Sequence, residues 1–263
     1  MARRKIEAMR SIVTGASSGI GRAVALELVR RGANCVLMAR NEERLLDLAA
    51  ECNAIDHGGQ VEIVVGDVTD SGVRKLAIEK SVISFGGVDA VINNAGVGSF
   101  GRFADSTPER LRRIMDVNFF AAVELIRESL PALLRGKNPI VVNVGSILGH
   151  RGIPRMHEYC TSKFALQGFS QSLRVELRGE GVDLLMVSPG TTDTEFYENV
   201  MHGRGNVPWN KGRGTPVAVV AKKTVRAMEL GKREIVPNTM GRLLLLANWH
   251  VPHWVDRVLE RFA

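Results

Sequence analysis

The sequence contains little cysteine and no long apolar run. Its three cysteines share no CxxC spacing: Cys35, Cys52 and Cys160. An odd set without that spacing indicates neither a disulfide framework nor a structural zinc site. His250 and His253 are separated by Pro252, and no carboxylate cluster converges on them, so we expect no bound metal ion. The apolar run near the C-terminus is too short to span a bilayer.

Basic residues exceed acidic ones, but they form no patch interleaved with aromatic residues. The formal net charge is +7 over 263 residues, of which 45% are hydrophobic. The arginines and lysines are spread along helical stretches, so we do not expect a nucleic-acid partner. Glu7 and Arg10 interrupt the apolar part that a secretion signal requires. We therefore expect a cytoplasmic protein with one α/β domain.

Short apolar runs alternate with longer stretches of helical periodicity. The runs cover residues 11–14, 34–39, 61–65, 89–93, 140–144, 183–187 and, more weakly, 234–236. This alternation predicts βαβ units, and hence a parallel sheet with helices on both faces. One Gly-rich, polar stretch, about 191–215, is too long for an ordinary connection and is interpreted as a lid.

A glycine-rich turn follows the first predicted strand. It reads Thr-Gly-Ala-Ser-Ser-Gly-Ile-Gly over residues 14–21 and opens an amphipathic helix. The glycines Gly15, Gly19 and Gly21 would let a phosphate approach main-chain N–H groups at the positive end of this helix. The spacing differs from the common G-x-G-x-x-G pattern, but a position between strand and helix still predicts a dinucleotide site.

Three further segments lie at the C-terminal ends of predicted strands, where open α/β sheets bind ligands. Ala39 stands where NAD-binding proteins carry a carboxylate, and Arg40 can accommodate a 2′-phosphate, unless it is simply an exposed residue opening the next helix. Asp67 and Val68 can hydrogen-bond and pack against adenine. Residues 94–96 place small and amide side chains beside the dinucleotide. The Arg40 position favours NADP(H) over NAD(H).

Tyr159 and Lys163 are four residues apart, and Ser146 lies upstream. On a helix this spacing places the phenol and the ammonium on one face. Bringing a phenol pKa from about 10 to near neutrality requires roughly 4 kcal/mol, which a unit charge about 4 Å away supplies at an effective dielectric of about 20. Tyr159 can then donate or accept a proton, and Ser146 can hydrogen-bond a substrate oxygen. Such pairs also occur by chance on solvated helix faces, so the inference depends on the surrounding motifs.

Six motifs together resemble those of the short-chain dehydrogenase/reductase family. In the family's order and spacing they are the turn at 14–21, Asn-Asn-Ala-Gly at 93–96, Asn118, Ser146, Tyr-x-x-x-Lys at 159–163 and Pro-Gly at 189–190. The resemblance covers about residues 10–240. It implies a single Rossmann-type, doubly wound, parallel seven-stranded sheet in the order 3-2-1-4-5-6-7. It also implies hydride transfer between a nicotinamide cofactor and a small carbonyl or alcohol.

The resemblance also implies roles for individual residues. The implied catalytic residues are Asn118, Ser146, Tyr159 and Lys163. Asn118 would support a water and Lys163 in a proton relay, or alternatively have only a structural role at a helix kink. With the motifs above, the expected cofactor-binding residues are Gly15, Ser17, Ser18, Gly19, Ile20, Gly21, Arg40, Asp67, Val68, Asn94, Ala95, Gly96, Tyr159, Lys163, Pro189, Gly190, Thr192 and Thr194.

The substrate is less well defined by the sequence. We expect substrate contacts from the segment after Ser146 and from the lid: Leu148, His150, Ile153, His157, Phe196, Tyr197, Met201 and Trp209. Three basic lid residues would suit an anionic end on an apolar substrate, or would merely be solvated: Arg204, Lys211 and Arg213.

The C-terminal segment departs from a minimal family member. We divide the chain into a Rossmann-fold domain, 1–242, and an amphipathic extension, 243–263, whose apolar residues recur at helical spacing from Val251 on. The extension could pack over its own domain or the substrate pocket, form a subunit interface, or contact a membrane peripherally. The resemblance suggests a homodimer or homotetramer through helices around 107–135 and 157–179.

Two alternative functions remain at this stage. One is a reductase of lipids, steroids or retinoids at a membrane surface. The other is a non-catalytic dinucleotide sensor, from which we would expect the loss of Tyr159, Lys163 or Ser146.

Overall fold

The computed structural model describes residues 4–194, 196, 200 and 214–261. Its main sheet has seven parallel strands in the order β3-β2-β1-β4-β5-β6-β9. Along the chain they are β1 (Arg10–Thr14), β2 (Asn34–Ala39), β3 (Val61–Val65), β4 (Ala90–Asn93), β5 (Ile140–Val144), β6 (Asp183–Val187) and β9 (Glu234–Ile235). The predicted sheet and strand order are therefore confirmed, with β9 as the seventh strand.

Helices cover both faces of the sheet. They are α1 (Gly19–Arg30), α2 (Glu42–Asn53), α3 (Ser71–Phe85), α4 (Pro108–Met115), α5 (Ala121–Leu133), α6 (His157–Gly179), α7 (Val217–Glu229), α8 (Thr239–His250) and α9 (Pro252–Glu260). Ile12 and Val13 of β1 point to opposite faces, as neighbours in a strand do. Val13 packs in one core layer with Leu28 of α1, and Ile12 packs in the other with Leu125 of α5. The strands are buried on both sides, as a doubly wound sheet requires.

Two very short strands, which the sequence did not predict, bracket the stretch interpreted as a lid. β7 (Thr192–Asp193) pairs in parallel with β8 (Thr215–Pro216), and the Thr215 N–H donates to the Thr191 carbonyl at 3.0 Å. The two ends of the stretch are therefore held side by side. Several residues assigned to the lid lie outside the described residues: Tyr197, Met201, Arg204, Trp209, Lys211 and Arg213.

The C-terminal segment forms two helices separated at Pro252. Because α8 begins at Thr239, the predicted boundary between 242 and 243 falls inside a helix, and the segment begins earlier than expected. Pro252 occupies the first turn of α9, where its missing N–H is tolerated. Arg151 joins the segment to the domain through a 2.9 Å hydrogen bond to Asn248 and an ion pair with Asp256. In the described part of the chain, no helix is long and apolar enough to cross a membrane.

The three cysteines are free thiols inside the protein. Burial raises the pKa of Cys35 and of Cys160, and raises that of Cys52 to about 11. They therefore behave as small buried side chains, as the sequence indicated.

Candidate active site

The C-terminal ends of the strands open into a cavity of about 1330 Å³. Most of the predicted site residues line it: Gly15, Ser17, Ser18, Gly19, Ile20, Arg40, Asp67, Val68, Asn94, Ala95, Gly96, Ser146, Leu148, Ile153, Tyr159, Lys163, Pro189, Gly190, Thr192, Thr194 and Phe196. Among the predicted residues that the structure describes, four are not part of this lining: Gly21, Asn118, His150 and His157.

The glycine-rich turn is held against the loop that follows β4. The Thr14 hydroxyl oxygen accepts hydrogen bonds from the N–H groups of Asn94 and Ala95 at 2.9 and 3.0 Å, and Asn94 Nδ2 donates to the Thr14 carbonyl at 3.0 Å. Gly15 has φ +63°, and a Cβ on it would lie 2.9 Å from Ala95 Cα. Glycine is therefore needed both for the backbone conformation and for the close approach of the two loops.

Gly21 has a packing role in the turn, and its assignment to cofactor binding stays a prediction. A Cβ at this position would lie 2.3 Å from both the Gly15 carbonyl oxygen and Asn94 Nδ2. The absence of a side chain therefore lets α1 pack closely against the turn.

The N-terminus of α1 faces the cavity through Ser17, Ser18 and Gly19. Ser18 is the N-cap residue, yet its side chain makes no capping hydrogen bond. Gly19 has φ +53°, and a Cβ on it would lie 3.3 Å from Thr194 Cγ2, so Thr194 stands directly opposite this turn. Uncapped N–H groups at a positive helix end suit the phosphates of a dinucleotide.

The far end of the cavity is rich in guanidinium groups. Arg40, Arg44 and Arg113 line it with Asp67. Burial would raise the pKa of Asp67, but hydrogen bonds from the Thr69 backbone and from Arg113, whose Nη2 lies 2.6 Å from Oδ2, lower it to about 2. Asp67 is therefore ionised and paired. Arg44 and Arg113 were not predicted from the sequence. Arg44 could have been found, because it follows Arg40 by four residues and so lies near it on a helix. No local sequence pattern links Arg113 to Asp67.

Tyr159 and Lys163 lie on one face of α6, as their spacing predicted. Lys163 Nζ is 5.7 Å from the centroid of the Tyr159 ring and donates to the Val144 carbonyl at 3.0 Å. Both side chains are buried, and burial lowers the pKa of Lys163 to about 8. At neutral pH the Lys163 side chain is therefore mostly a charged ammonium, and it lies close to the phenol ring.

Ser146 follows the last residues of β5 and caps a 3-10 turn, Ile147–Gly149. Its Oγ accepts from the Leu148 N–H at 3.1 Å, and Ser146 and Tyr159 both line the cavity. A Cβ at Gly149 would lie 2.8 Å from the Lys163 carbonyl oxygen, so the turn packs directly on α6. This contact fixes the position of the strand end relative to the Tyr159 helix.

Asn118 supports the site from outside the cavity lining. It lies in a π-helical turn, Asp116–Phe120, between α4 and α5. Its Oδ1 accepts from the Val97 N–H at 2.8 Å, while Nδ2 donates to the Val97 carbonyl and to Ser162 Oγ, both at 2.9 Å. The Ser162 hydroxyl in turn donates to the Tyr159 carbonyl at 2.7 Å. Asn118 therefore joins the loop after β4 to the helix turn that carries Tyr159.

The cavity is apolar next to Tyr159. The Phe196 ring centroid is 5.3 Å from that of Tyr159, and Leu148 and Ile153 lie in the same cluster. The C-terminal helices contribute six lining residues, in line with the alternative that this segment packs over the substrate pocket: Thr239, Met240, Gly241, Leu244, Val258 and Leu259. Their contribution depends on tertiary packing, which no sequence motif specified.

His150, which was expected to contact the substrate, is not part of the cavity lining among the described residues. Its Nε2 lies 3.1 Å from Ser188 Oγ and 3.1 Å from Glu234 Oε1. The turn after Ser146 directs the ring towards β9, so His150 joins the sheet edge to the segment before Pro189. His157 is also absent from the lining and packs edge-on against Phe103, with centroids 5.4 Å apart.

The fold and cavity define an α/β protein of the dinucleotide-binding class. More particularly, the chain belongs to the short-chain dehydrogenase/reductase family, since the profile of the short chain dehydrogenase family matches residues 10–205. It is an oxidoreductase of that family.

Relatives and solved structures agree with this assignment. The chain is 32% identical to "Uncharacterized oxidoreductase YxnA" of Bacillus subtilis (strain 168), over 98% of this chain and 73% of the relative. It is 32% identical to Dehydrogenase/reductase SDR family member 7B of Mus musculus, over 86% and 72%. A Burkholderia cenocepacia J2315 short chain dehydrogenase in complex with NADP is 26% identical, with TM-score 0.79 over 89% of this chain and 97% of that one. A Burkholderia phymatum family member in complex with NAD, 22% identical, shares the fold with TM-score 0.86 over 95% and 96%.

Proposed function

We propose that this protein interconverts a small carbonyl compound and the corresponding alcohol by hydride transfer with NADP(H). The observation that carries the proposal is the buried Tyr159 and Lys163 pair in a cavity that Ser146 also lines. A non-catalytic dinucleotide sensor would have no use for a buried ammonium beside a phenol. The retention of all three residues therefore favours an enzyme.

The residues present fit a nicotinamide dinucleotide. The uncapped N-terminus of α1 can bind the pyrophosphate, and Gly15 and Ala95 line the same cavity. Pro189, Gly190 and Thr194 line the same cavity as Tyr159. When bound, the cofactor supplies or accepts the hydride.

Side chains of the protein would transfer the proton and stabilise the charge that this transfer creates. Ser146 Oγ binds and orients the substrate oxygen, and Tyr159 gives that oxygen a proton during reduction or removes it during oxidation. Lys163 stabilises the phenolate electrostatically, since it is a buried cation beside the ring. Asn118 positions the helix turn through Ser162, and its part in a water relay stays a prediction.

Replacement of Tyr159 by phenylalanine tests the acid/base role. The Tyr159→Phe variant keeps the ring contact with Phe196 but has no proton to transfer, so we expect kcat to fall by about 10²-fold or more. NADPH binding, measured by fluorescence titration, is expected to change little. Retention of most of the wild-type rate would rule out Tyr159 as the catalyst.

The preference for NADP(H) is proposed from Arg40 and Arg44, since both line the cavity and Ala39 supplies no carboxylate. A charge-assisted contact to a 2′-phosphate contributes about 1.5–3 kcal/mol. We therefore expect Arg40→Ala to lower kcat/KM for NADPH by about 10- to 100-fold and to leave NADH nearly unaffected. Arg30→Ala, an exposed arginine on α1, is the matched control. A wild-type enzyme that prefers NADH would contradict the proposal.

We also propose a cytoplasmic homodimer or homotetramer. Several apolar side chains on or near α4, α5 and α6 are exposed in the single chain: Leu111, Phe120, Leu134, Phe164 and Val175. Their burial between subunits would be the reason for association. Light scattering at several protein concentrations measures the assembly directly.

A further inference from the structure

The C-terminal helices α8 and α9 expose a set of apolar side chains. We name this set the C-terminal stripe; it comprises Met240, Leu243, Leu246, Trp249, Val251, Trp254 and Val258. Trp249 is 80% exposed and Trp254 is 65% exposed. Exposed apolar patches of this extent usually mark a binding surface.

The stripe is continuous with the wall of the cavity. Met240 is 73% exposed and Val258 is 52% exposed, yet both also line the cavity, together with Leu244 and Leu259. The same two helices therefore have one face towards the proposed substrate and another towards the exterior. Met240 and Val258 stand where the two faces meet, which is where an apolar molecule would enter.

The entrance is also tied to the site. Gly190 donates its N–H to Asn238 Oδ1 at 3.1 Å, and Asn238 is the N-cap residue of α8. A Cβ on Gly190 would lie 2.2 Å from Asn238 Nδ2, so the Pro189–Gly190 segment contacts the start of α8 closely. The mouth lined by α8 is thus held in a fixed relation to the catalytic end.

The charges around the stripe are suited to an anionic surface. Arg242, Arg257 and Arg261 lie on or beside the two helices, and the Arg257 guanidinium lies 5.5 Å from the centroid of the Trp254 ring. Of the two acidic residues of α9, Asp256 is engaged by Arg151. Indole rings next to guanidinium groups are the combination found at the level of lipid headgroups.

A fluid lipid surface also agrees with the position of the stripe at an entrance. A second copy of the chain seated on the stripe would cover the mouth at Met240 and Val258. A lipid layer would cover the same apolar side chains and still let a dissolved molecule pass between the helices. The apolar lining beside Tyr159 is suited to such a molecule, because in the described lining Lys163 is the charged residue at that end.

We propose that the C-terminal stripe docks the enzyme on an anionic lipid surface and that α8 and α9 admit an apolar carbonyl substrate from that surface into the cavity. The substrate part rests on the proposed function, whereas the docking part does not.

Sedimentation with lipid vesicles tests the docking. The full chain is mixed with vesicles of phosphatidylcholine alone or of phosphatidylcholine with phosphatidylglycerol. We expect binding to the anionic vesicles and weaker binding as salt rises from about 0.1 M to about 1 M, because the Debye length falls from about 10 to about 3 Å. The double variant W249S/W254S is expected to bind at least tenfold more weakly.

A matched control removes an equally exposed apolar residue elsewhere. Ile83 on α3 is 82% exposed, so Ile83→Ser is expected to bind vesicles as the wild type does. Circular dichroism and light scattering of all variants check fold and mass. Equal binding of W249S/W254S and wild type would overturn the docking proposal, as would no binding by the wild type. A fall in mass of the double variant, without vesicle binding by the wild type, would assign the stripe to a second copy.

A series of straight-chain aldehydes tests the substrate class. Each buried methylene is expected to raise kcat/KM about fourfold, the equivalent of ~0.8 kcal/mol, until the cavity is filled. Leu244→Ser is expected to reduce this dependence on chain length. A kcat/KM independent of length would overturn the apolar substrate. Intact vesicle binding without turnover of any carbonyl compound would instead remove the proposed function and leave the docking in place.

Discussion

Lys163 shows how one residue can serve a site at the expense of stability. Its ammonium is buried and donates a hydrogen bond to the Val144 carbonyl, and burial lowers its pKa from 10.5 to about 8. The folded protein therefore binds fewer protons than the unfolded chain between about pH 8 and 10.5. The stability of the ligand-free protein should accordingly rise with pH through that window, because the charged form is the one that burial disfavours.

Replacement of Lys163 by methionine should reveal this cost. The lowered pKa corresponds to a cost of roughly 3 kcal/mol in the stability of the wild type at neutral pH. The variant gains that amount but loses about 1 kcal/mol with the hydrogen bond to Val144. We expect Lys163→Met to be inactive yet about 2 kcal/mol more stable than the wild type at pH 7. Urea denaturation of the ligand-free proteins at pH 7 and at about pH 10 measures the difference, which should shrink at the higher pH. A variant that is less stable at pH 7 would contradict this account.

Site residues were predictable where the chemistry is local in the sequence. The Tyr159 and Lys163 spacing fixes a shared helix face whatever the tertiary structure, and the turn at 14–21 identifies its own helix N-terminus. The contact of His150 with Ser188 was not predicted, because closeness to Ser146 in the chain does not determine where a side chain points after a 3-10 turn. Arg113 could not be found because its pairing with Asp67 joins residues far apart in the chain.

At the scale of elements, a buried ion pair joins α4 to α6 next to Tyr159. Arg110 Nε lies 2.8 Å from Glu158 Oε1 and 3.0 Å from Oε2, and Ser106 also donates to this carboxylate. Burial would raise the pKa of Glu158, but the hydrogen bonds from Ser106 and Arg110 outweigh it and lower the pKa. Both side chains are almost fully buried, at 6% and 2% exposure. The pair therefore fixes the start of α6.

Removal of one partner of this ion pair should lower the free energy of unfolding far more than removal of both partners. Arg110→Met leaves the Glu158 carboxylate buried without its cation and is expected to lower the free energy of unfolding by about 3–5 kcal/mol. The double variant Arg110→Met/Glu158→Gln should recover most of that loss. Arg112→Met, on the same helix but in an exposed pair with Glu109, should cost no more than about 0.5 kcal/mol. Urea denaturation midpoints of the wild type and these three variants measure the losses of stability. Equal losses in Arg110→Met and in the double variant would contradict the prediction.

The seven strands of the main sheet were predicted within a residue of their observed bounds, because buried parallel strands are continuous apolar runs. The pair β7 and β8 was missed since two residues have no periodicity. The start of α8 was also missed: Thr239 to Arg242 carries no capping pattern, and the Asn238 side chain contacts Gly190 instead of capping the helix.

At the scale of the whole molecule, ionised carboxylates connect distant parts of the chain. Asp89 immediately precedes β4, and its Oδ2 lies 2.8 Å from Nε of Arg10 in β1. The same carboxylate accepts a hydrogen bond from the Lys137 N–H at 2.6 Å. Asp67, Glu158 and Glu234 make comparable connections, and all four have a lowered pKa. For each, the hydrogen bonds and nearby cations that the carboxylate receives favour its charged form.

Acid should therefore destabilise the protein in a defined window. A carboxyl group with a lowered folded-state pKa contributes stability above its unfolded pKa and loses it as pH falls through the folded value. The unfolded values are 3.8 and 4.5, and Asp67 falls to about 2. We expect the free energy of unfolding to drop by at least ~2 kcal/mol between about pH 5 and pH 2. Urea denaturation across that range measures it, and Asp89→Asn should show a shallower slope. A flat profile would contradict the expectation.

The global arrangement was predictable in part. The order of the sheet came from a family resemblance, and alternating strands and helices required helices on both faces. Packing of the C-terminal segment over the cavity was one of three alternatives that the sequence left open, because the amphipathic pattern from Val251 on predicts a buried face but does not identify the surface that covers it. In the structure that surface is the domain itself, through Val255 and Arg151.

The inaccessibility of the native thiols has a practical consequence for experiments on this protein. Cys35, Cys52 and Cys160 are buried and protonated at neutral pH, so maleimide reagents should leave them intact in the folded state. A new cysteine at an exposed position, such as Leu246→Cys, would then be the one reactive group without any prior removal of cysteines. A single spin label or fluorophore could be attached there, and its immersion depth read by quenchers of known location.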